Sequence, residues 1–379
     1  MSGKVLRIGL IGFGAIGKVH ACACANLPYY YDMQGVRAQI TRVCTAHEET
    51  AQRAAETIGG NAVAVSDYRE ITENPDIDAV DIATPNALHF DALMSAIRHN
   101  KHIYCEKPLV ATVEEANAVE KCLADYTGTS RVVLQYRFSP AVIRAKQLID
   151  EGRLGTILEF RGHFLHAGSS RPDTVIKPWK LEGGVIADLG SHTLDVLRFL
   201  LGDFDSLAAT RRTAYPTRPD GKGGIVPVPT EDNMMVLLRL KNGADGMVGS
   251  SKITTGAEDD LCFEINGSNG AVRFSGMDPH HLDFYDNTIS DRPYGGLKGW
   301  TKIDCGQRFE APASGFPAAK SAIGWFRSHI HSYWDFVSCA ANNKMSSPDI
   351  RDGIYLQRVL DAVVRAADSG QRVTIHTDA

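Results

Sequence analysis

Short apolar runs alternate with amphipathic segments along the first third of the chain. Leu6–Ile11 and Ala79–Ala83 predict buried strands, whereas Ala15–Asn26 has small and apolar residues at helical spacing. The same pattern predicts further strands at 39–44, 62–65, 102–105 and 132–135, and helices at 48–58, 67–72, 87–99 and 114–123. Because strands and helices alternate, this region predicts a parallel sheet with helices on both faces.

The pattern changes after about residue 150. Strand signals recur at 157–165, 208–213, 234–239, 246–253, 261–266 and 271–274, several of them separated by short turns. No long helix lies between most of these segments, so the pattern predicts a second, mostly antiparallel sheet. Helices are predicted at Ser191–Leu201, 325–341 and 349–367, and residues 276–324, rich in Gly, Pro and Asp, are predicted to form a long surface excursion.

Length and composition are those of a globular protein with two domains. The chain has 379 residues, 44% of them hydrophobic and 22% charged. The formal net charge of −5 and the absence of a basic run argue against nucleic acid as a partner. The N-terminus lacks a signal peptide and no apolar run approaches about 18 residues, so we expect a cytoplasmic protein without a membrane segment.

The eight cysteines give no indication of a metal site along the sequence. Only Cys22 and Cys24 lie close together, and their spacing does not match a zinc knuckle. We expect small, buried thiols in a reducing compartment, and no metal.

A glycine-rich turn follows the first predicted strand. Gly12-Phe13-Gly14-Ala15-Ile16-Gly17 fits the pattern G-x-G-x-x-G between a strand and a helix, which is the context that a dinucleotide-binding turn requires. Gly12 permits the tight turn, Gly14 lets a pyrophosphate approach the backbone, and Gly17 lets the helix pack closely on the strand. The turn predicts a Rossmann domain that binds a nicotinamide dinucleotide.

The residue that usually binds the adenosine ribose is absent. An acidic residue is expected at the end of the second strand, but Thr45, Ala46 and His47 stand there. The connection before this strand also contains an inserted aromatic segment, Pro28 to Asp32. No arginine follows the strand to hold a 2′-phosphate, so NAD is favoured and NADP is not excluded.

Two segments carry candidate catalytic residues. Glu106-Lys107-Pro108 follows a strand at the edge of the sheet where ligands bind, and Lys107 there could stabilise a developing alkoxide. The proline lowers the cost of a cis peptide bond, which could aim the lysine inward. Asp188 and His192 stand four residues apart at a predicted helix start, so they share a helix face. Imidazole is a natural acceptor for the proton that a hydroxyl loses on oxidation, although an N-capping Asp with a structural His fits the spacing equally well.

Together these motifs resemble the Gfo/Idh/MocA family. The resemblance is carried by Gly12–Gly17, by Ala83-Thr84-Pro85-Asn86 with His89, by Glu106-Lys107-Pro108, and by Asp188 to His192. It implies an α/β protein with a dinucleotide-binding Rossmann domain at 1–135 and, at 136–379, a substrate-binding and oligomerisation domain with a large, mostly antiparallel open sheet. It allows the C-terminal helix to pack back on the first domain.

The resemblance also implies roles for individual residues. The catalytic trio is Lys107, Asp188 and His192. The cofactor set is Gly12, Phe13, Gly14, Ala15, Ile16, Gly17, Thr45, Thr84, Pro85, Asn86, His89, Glu106 and Lys107. Within the family the chain looks most like the levoglucosan and glucoside 3-dehydrogenase group, on the cues Gln135 to Ala141, Phe160 to Gly162 with His166, and Tyr29 to Tyr31. Further candidate substrate contacts, for which ordinary packing is an equal alternative, are Tyr136, Arg137, His166 and Trp179.

The expected function is hydride transfer between a secondary hydroxyl of a sugar or cyclic polyol and NAD, or the reverse reduction of a keto sugar. Three alternatives stay open at this point: glycoside modification by tightly held NAD without net redox change, a reductase that works mainly on a ketone, and a non-catalytic dinucleotide sensor. The second sheet has too few helices to cover both faces, which predicts a homodimer or homotetramer.

Overall fold

The computed structural model describes residues 4–33, 35–177, 181, 183–306 and 324–376. Within these ranges the chain forms two compact units. The first unit comprises 4–138 and 324–357, and the second unit comprises 139–306 and 358–376. The first unit is therefore built from two separate stretches of chain. The roles given to the two predicted domains, cofactor binding and substrate binding, stay predictions.

The first unit contains a six-stranded, fully parallel sheet in the order β3-β2-β1-β4-β5-β6. The strands are β1 Lys4–Ile11, β2 Val36–Cys44, β3 Val63–Val65, β4 Ala79–Ile82, β5 His102–Glu106 and β6 Ser130–Val133. The helices between them are α1 Ala15–Tyr30, α2 Glu48–Ile58, α3 Arg69–Thr72, α4 His89–Arg98 and α5 Val113–Lys121. The central strands are mostly apolar and largely buried, so the predicted parallel sheet with a Rossmann arrangement is confirmed.

Helix α1 is longer than the sequence indicated. It continues through Pro28 to Tyr30, whereas the prediction ended it at Asn26 and treated the following residues as an inserted connection. A proline removes only one backbone donor, and the last turn is still closed by the Tyr31 N–H, which donates to the Leu27 carbonyl at 3.0 Å. Tyr31 is buried and stacks on Trp334 at 4.9 Å, so packing holds the extra turn in place.

The returning stretch of the first unit supplies helix α8, Trp325–Ala341, and the first residues of helix α9, Ile350–Ser369. Helix α8 is joined to the sheet by hydrogen bonds from side chain to side chain. Tyr333 donates to Asp81 on β4 at 3.0 Å, and Tyr104 on β5 donates to Ser332 at 3.1 Å. Helix α8 is therefore part of the core of the first unit.

The second unit contains a nine-stranded sheet in the order β16-β15-β14-β13-β7-β12-β11-β8-β17. Only β7 and β12 pair in parallel, so the predicted mostly antiparallel sheet is confirmed. Its strands are β7 Ile157–Leu165, β8 Phe204–Arg212, β11 Asn233–Leu240, β12 Asp245–Ser251, β13 Asp260–Gly267, β14 Gly270–Ser275, β15 His281–Asp286, β16 Trp300–Asp304 and β17 Val373–Thr374. A separate hairpin is formed by β9 Thr217–Pro219 and β10 Ile225–Pro227.

Several parts of the second unit differ from the prediction: β9, β10 and β17 were not predicted, and β8 begins at Phe204 and not at 208. Helix α6, Pro140–Asp150, was not predicted, although a proline at the first helical position after a serine is a helix-start signal. Strands β15 and β16 lie where a surface excursion was predicted. The alternation of burial along β15 shows that it extends the sheet, a pattern that the surrounding glycines and prolines obscured.

Among the described residues, one face of the nine-stranded sheet is covered by a helix and the other face is open. Helix α7, Ser191–Leu201, covers one face and packs so closely that a side chain at Gly162 would meet Thr193 and Leu197. On the open face, Met235, Leu237 and Met247 are 62%, 54% and 52% exposed. Of the helices in the described ranges, none is long and apolar enough to cross a membrane.

Candidate active site

The carboxyl ends of the first sheet bring several predicted residues to one edge. Gly12 follows β1, Thr45 follows β2, Thr84 lies just beyond β4 and Lys107 follows β5. Since all six strands are parallel, these ends lie side by side, and this edge is where ligands bind in open α/β sheets.

The glycine turn has the geometry that a dinucleotide needs. Gly12 has φ +98°, and a side chain there would collide with the Ala83 carbonyl at 2.5 Å. At Gly17 a side chain would lie 2.2 Å from the Gly12 oxygen, so the helix could not pack this close. At Gly14, the N-cap of α1, a side chain would meet no described atom within 4 Å. The helix N-terminus therefore faces open space that a phosphate can occupy.

The residues after β4 differ in how they can serve a cofactor. The Thr84 hydroxyl is buried and has no hydrogen-bonding partner among the described residues, so it offers a donor to a ligand. His89 is buried, and its ring nitrogens lie 2.8 Å from the Thr84 carbonyl and 3.0 Å from the Pro108 carbonyl. His89 thus holds together the loops that follow β4 and β5. Pro85 and Asn86 lead into a short 3₁₀ turn, Asn86–Leu88.

Thr45 lies where an acidic ribose-binding residue was sought. Its hydroxyl donates to the His47 carbonyl at 3.0 Å and lies 2.5 Å from the Thr50 hydroxyl. Helix α2 begins directly afterwards, with Glu48 and Glu49 in its first turn. Phe13, Ala15 and Ile16 lie in the glycine turn, partly exposed, beside the open space at Gly14.

A buried network of charged side chains is hydrogen-bonded to the Lys107 backbone. His20 on α1 lies between two carboxylates, 2.8 Å from Asp81 on β4 and 3.1 Å from Glu106 at the end of β5. The other Glu106 oxygen accepts the Lys107 backbone N–H at 3.1 Å. The Lys107–Pro108 peptide bond is cis. His20 and Asp81 were missed at the sequence level, although a charged residue inside the fully buried strand β4 was a usable signal.

The pKa values in this network reflect two opposing effects, burial and the charges of neighbouring side chains. Burial lowers the pKa of His20, but the Asp81 and Glu106 carboxylates outweigh burial and raise it to about 10. Burial raises the pKa of Glu106, whereas the hydrogen bond and charge of His20 lower it to about 2. An imidazolium therefore lies between two carboxylates at neutral pH.

Tyr136 and Arg137 lie in a 3₁₀ turn, Gln135–Phe138, just after β6. Both side chains are largely buried. The Arg137 guanidinium lies 3.6 Å from the Asp352 carboxylate on α9, so a structural ion pair uses part of its charge.

In the second unit, Asp188 and His192 flank a helix start as predicted. Asp188 lies in a π-helical turn, Ile186–Gly190, and His192 lies in the first turn of α7. The turn is held by Glu231, whose carboxylate accepts the Ile186 N–H at 2.9 Å. Such π turns occur often at functional sites because they displace one residue from the regular helix.

Two further charged residues gather around Asp188. Lys252, just after β12, donates to the Asp188 carboxylate. Asp259, just before β13, interacts electrostatically with His166, Lys252 and Asp188, and burial raises its pKa. Sequence reasoning missed Lys252 and Asp259 because each lies in a loop and reaches the site only through strand pairing.

His166 belongs to the same end of the second sheet. Its backbone N–H donates to the Ser251 carbonyl at 2.8 Å, and its Nδ1 accepts the Gly168 N–H at 2.7 Å. Nε2 is therefore the protonated ring nitrogen when the ring is neutral. Buried Arg218 fixes the following loop by donating to the Ser169 and Arg171 carbonyls, each at 2.8 Å. Trp179 lies outside the described residues.

Comparison with known proteins agrees with this arrangement. Residues 6–133 match the family profile described as an oxidoreductase family with an NAD-binding Rossmann fold, and residues 142–273 match the GFO/IDH/MocA C-terminal domain. Levoglucosan dehydrogenase from Pseudarthrobacter phenanthrenivorans is 32% identical over 381 residues, 96% of each chain. The chain belongs to the Gfo/Idh/MocA family of oxidoreductases.

Other members of the Gfo/Idh/MocA family are similar over nearly their whole length. Inositol 2-dehydrogenase from Rhizobium meliloti is 25% identical over 370 residues, which is 98% of this chain and 99% of the relative. The solved structure of levoglucosan dehydrogenase in complex with NADH and levoglucosan gives a TM-score of 0.92 at 32% identity, covering 99% and 100% of the two chains. The predicted family and its NAD-binding Rossmann fold are confirmed.

Proposed function

We propose that this protein is an NAD-dependent dehydrogenase that oxidises a secondary hydroxyl of a neutral pyranose sugar or cyclic polyol, with C3 of a glucose-like ring as the specific carbon. The observation that carries the proposal is the cluster of Asp188, Lys252, Asp259 and His166 beside the helix that bears His192. Such a density of charged and hydrogen-bonding groups fits a ring with adjacent hydroxyls, because an apolar ketone would displace water from these groups and offer few hydrogen bonds in return.

Each candidate residue has a distinct chemical task in this proposal. NAD, when bound, supplies the acceptor for the hydride. The imidazole of His192 accepts the proton of the reacting hydroxyl, and the Lys107 ammonium donates a hydrogen bond to the same oxygen as negative charge develops on it. Asp188, paired with Lys252, holds a neighbouring hydroxyl and fixes the ring.

The cofactor site is proposed from the same unit that carries Lys107. Gly12–Gly17 would hold the pyrophosphate, and Thr45, Thr84, Pro85 and Asn86 would line the rest of the strand edge, with Glu106 positioned by His20. The relative solved with NADH and levoglucosan supports both the cofactor and the substrate class. Thr45 carries no charge that would repel a 2′-phosphate, so NADP is assayed beside NAD.

A panel of substrates tests the proposed reaction. Levoglucosan, glucosides, free hexoses and inositols are compared with hydroxy acids and apolar secondary alcohols, with NAD and NADP in parallel. We expect steady formation of reduced nicotinamide with at least one sugar or inositol. Turnover of the hydroxy acids or apolar alcohols alone would refute the substrate class.

The time course of the same assay separates this proposal from its alternatives. Sugar conversion that accumulates no free NADH would indicate cleavage or modification by tightly held NAD. Reduction of keto sugars with negligible oxidation would indicate a reductase. Cofactor binding without any conversion would indicate a sensor.

Substitution of Gly14 by valine tests the cofactor turn. The added side chain enters open space, so the fold should be kept, but it occupies the volume proposed for the pyrophosphate. We expect cofactor affinity to fall at least tenfold, about 1.4 kcal/mol or more. Isothermal titration with NADH measures this change. Unchanged affinity in Gly14→Val would show that the pyrophosphate binds elsewhere.

Gly17→Ala is the matched control for the glycine turn. Its side chain would collide with the Gly12 carbonyl, so we expect lower thermal stability, unlike Gly14→Val. Comparison of Gly14→Val with Gly17→Ala distinguishes a blocked pyrophosphate site from disturbed packing of the helix.

We also propose a homodimer or homotetramer built on the open face of the second sheet. Met235, Leu237 and Met247 form an exposed apolar patch on neighbouring strands β11 and β12 of this face. Such a patch normally finds a partner. Light scattering at micromolar concentration should give twice or four times the 41.2 kDa chain mass. A single monomer mass would contradict this proposal.

A further inference from the structure

A second cluster of reactive side chains lies on the open face of the nine-stranded sheet. It consists of His163 on β7 and of Asp260 and Cys262 on β13. One potential ligand atom from each residue lies within 4.8 Å of the other two, and all three side chains are half-buried. The cluster borders a pocket of about 330 Å³ on this face.

Strand pairing brings these residues together. Strands β7 and β13 are antiparallel, and His163 lies directly opposite Cys262 in their register. Asp260 precedes Cys262 by two residues, so the pleat directs both side chains to the same face. Because the backbone ladder fixes all three positions, the arrangement costs little conformational freedom to form.

We propose that His163, Asp260 and Cys262 bind one Zn²⁺ ion per chain, with water as the fourth ligand. Zn²⁺ takes nitrogen, oxygen and thiolate ligands together, and a site with three protein ligands leaves one tetrahedral position for water. The combination of a thiolate with an imidazole favours zinc over the hard cations magnesium and calcium, which select oxygen ligands.

The hydrogen bonds around the cluster fit metal binding. The Cys262 thiol donates to the Asp260 carboxylate at 2.8 Å, and the Ser275 hydroxyl donates to the same oxygen at 3.1 Å. Within the described part of the chain, the His163 ring has no hydrogen-bonding partner that would compete for its nitrogen lone pair. On binding, Zn²⁺ replaces the thiol proton, which passes to solvent, and Ser275 continues to orient the carboxylate.

The zinc cluster is separate from the proposed catalytic residues. Phe164, which follows His163, points to the opposite, helix-covered face, where its ring lies 6.1 Å from the ring of His192. The sheet therefore lies between the zinc cluster and α7. The metal would tie β7 to β13 and stabilise the folded state by an amount that rises with the logarithm of its affinity.

Zinc titration of the metal-stripped, full-length protein tests the proposal. The protein is treated with a chelator, dialysed and titrated with Zn²⁺ in competition with a chromophoric chelator. We expect one equivalent per chain. With Co²⁺ in place of Zn²⁺, we expect tetrahedral absorption bands together with a thiolate-to-cobalt charge-transfer band.

Single substitutions distinguish a site with three protein ligands from zinc binding by the thiol alone. His163→Gln, Asp260→Asn and Cys262→Ser should each weaken Zn²⁺ binding by more than about tenfold. Cys122→Ser, which changes another half-buried cysteine in the first unit, should bind as the parent does. Zn²⁺ should raise the melting temperature of the parent and of Cys122→Ser, but not of the three ligand variants.

Two results would overturn the proposal. One is the absence of a tight equivalent of Zn²⁺ in the parent. The other is parental binding by both His163→Gln and Asp260→Asn, since the metal would then be held by the thiol alone. His163→Gln changes a half-exposed ring with no internal hydrogen bond, so this test does not depend on whether Cys262→Ser folds.

Discussion

Lys107→Ala and His192→Ala are each expected to lower kcat on the best sugar substrate by about 10²–10⁴-fold, the usual loss for a positioned acid–base group. Lys107 follows β5 at the same edge of the sheet as the glycine turn, and His192 lies in the first turn of α7 after Asp188. Both are proposed to act mainly on the reacting hydroxyl, although Lys107 also belongs to the predicted cofactor set. The affinity for NADH should therefore change by less than the catalytic rate.

The measurement is steady-state kinetics together with NADH titration of each variant. Lys121→Ala and His99→Ala are matched controls, since both side chains are exposed in the first unit. Parental turnover by both Lys107→Ala and His192→Ala would place the chemistry elsewhere. A large loss of NADH affinity without a loss of kcat would assign these residues to binding.

His20→Ala is expected to lower the free energy of unfolding by about 3–5 kcal/mol, the cost of breaking a buried ion pair by removing one partner. The His20 ring is fully buried between the carboxylates of Asp81 and Glu106. Its removal leaves two carboxylates facing one another without a cation. Urea denaturation followed by circular dichroism measures the free energy of unfolding. The control His99→Ala should change this free energy by less than about 1 kcal/mol.

The pH dependence of the difference in unfolding free energy between the parent and His20→Ala identifies the cause of the destabilisation. The pKa of His20 is raised to about 10 from 6.5, so its stabilisation is complete below about pH 6.5 and is lost as the pH rises towards 10. The pKa of Glu106 is lowered to about 2 from 4.5, so its stabilisation is present above pH 4.5 and is lost as the pH falls towards 2. The gap between parent and His20→Ala should therefore be largest near pH 5–6 and smaller by pH 9. A gap that does not change with pH would indicate lost packing and not lost charge.

The regular elements were predictable where the hydrophobic pattern was strong. Strand Ile157–Leu165 and helices Glu48–Ile58, Ser191–Leu201 and Trp325–Ala341 have the bounds that the sequence indicated. Each of these elements either has a clear hydrophobic periodicity or ends at residues typical of a turn. Strands β15 and β16 lacked both, because they are short and lie among glycines and prolines.

Motifs located the candidate residues but not their surroundings. The turn Gly12–Gly17 and Lys107 were found because their chemistry is contiguous in sequence. The partners that set their environment, His20 with Asp81 and Lys252 with Asp188, come from elements far apart in the chain. Such pairs are brought together only by the strand order and the register. Neither can be read from a single sequence.

The cysteines illustrate the same limit. Local spacing gave no metal motif, and we expected none. Cys262 nevertheless lies opposite His163, because β13 pairs with a strand that was completed almost a hundred residues earlier. A ligand set of the kind proposed, assembled from two strands, leaves no complete motif within either strand.

The divided first unit has a consequence for synthesis of the protein. When β1–β6 have left the ribosome, the polar groups of Asp81 and Tyr104 still lack Tyr333 and Ser332, which arrive with α8. At about 5–20 residues per second, the chain between Phe138 and Gly324 takes roughly 10–40 s to make. For that interval the nascent chain presents the part of the sheet that α8 later covers, and we expect it to be a substrate for ribosome-associated chaperones.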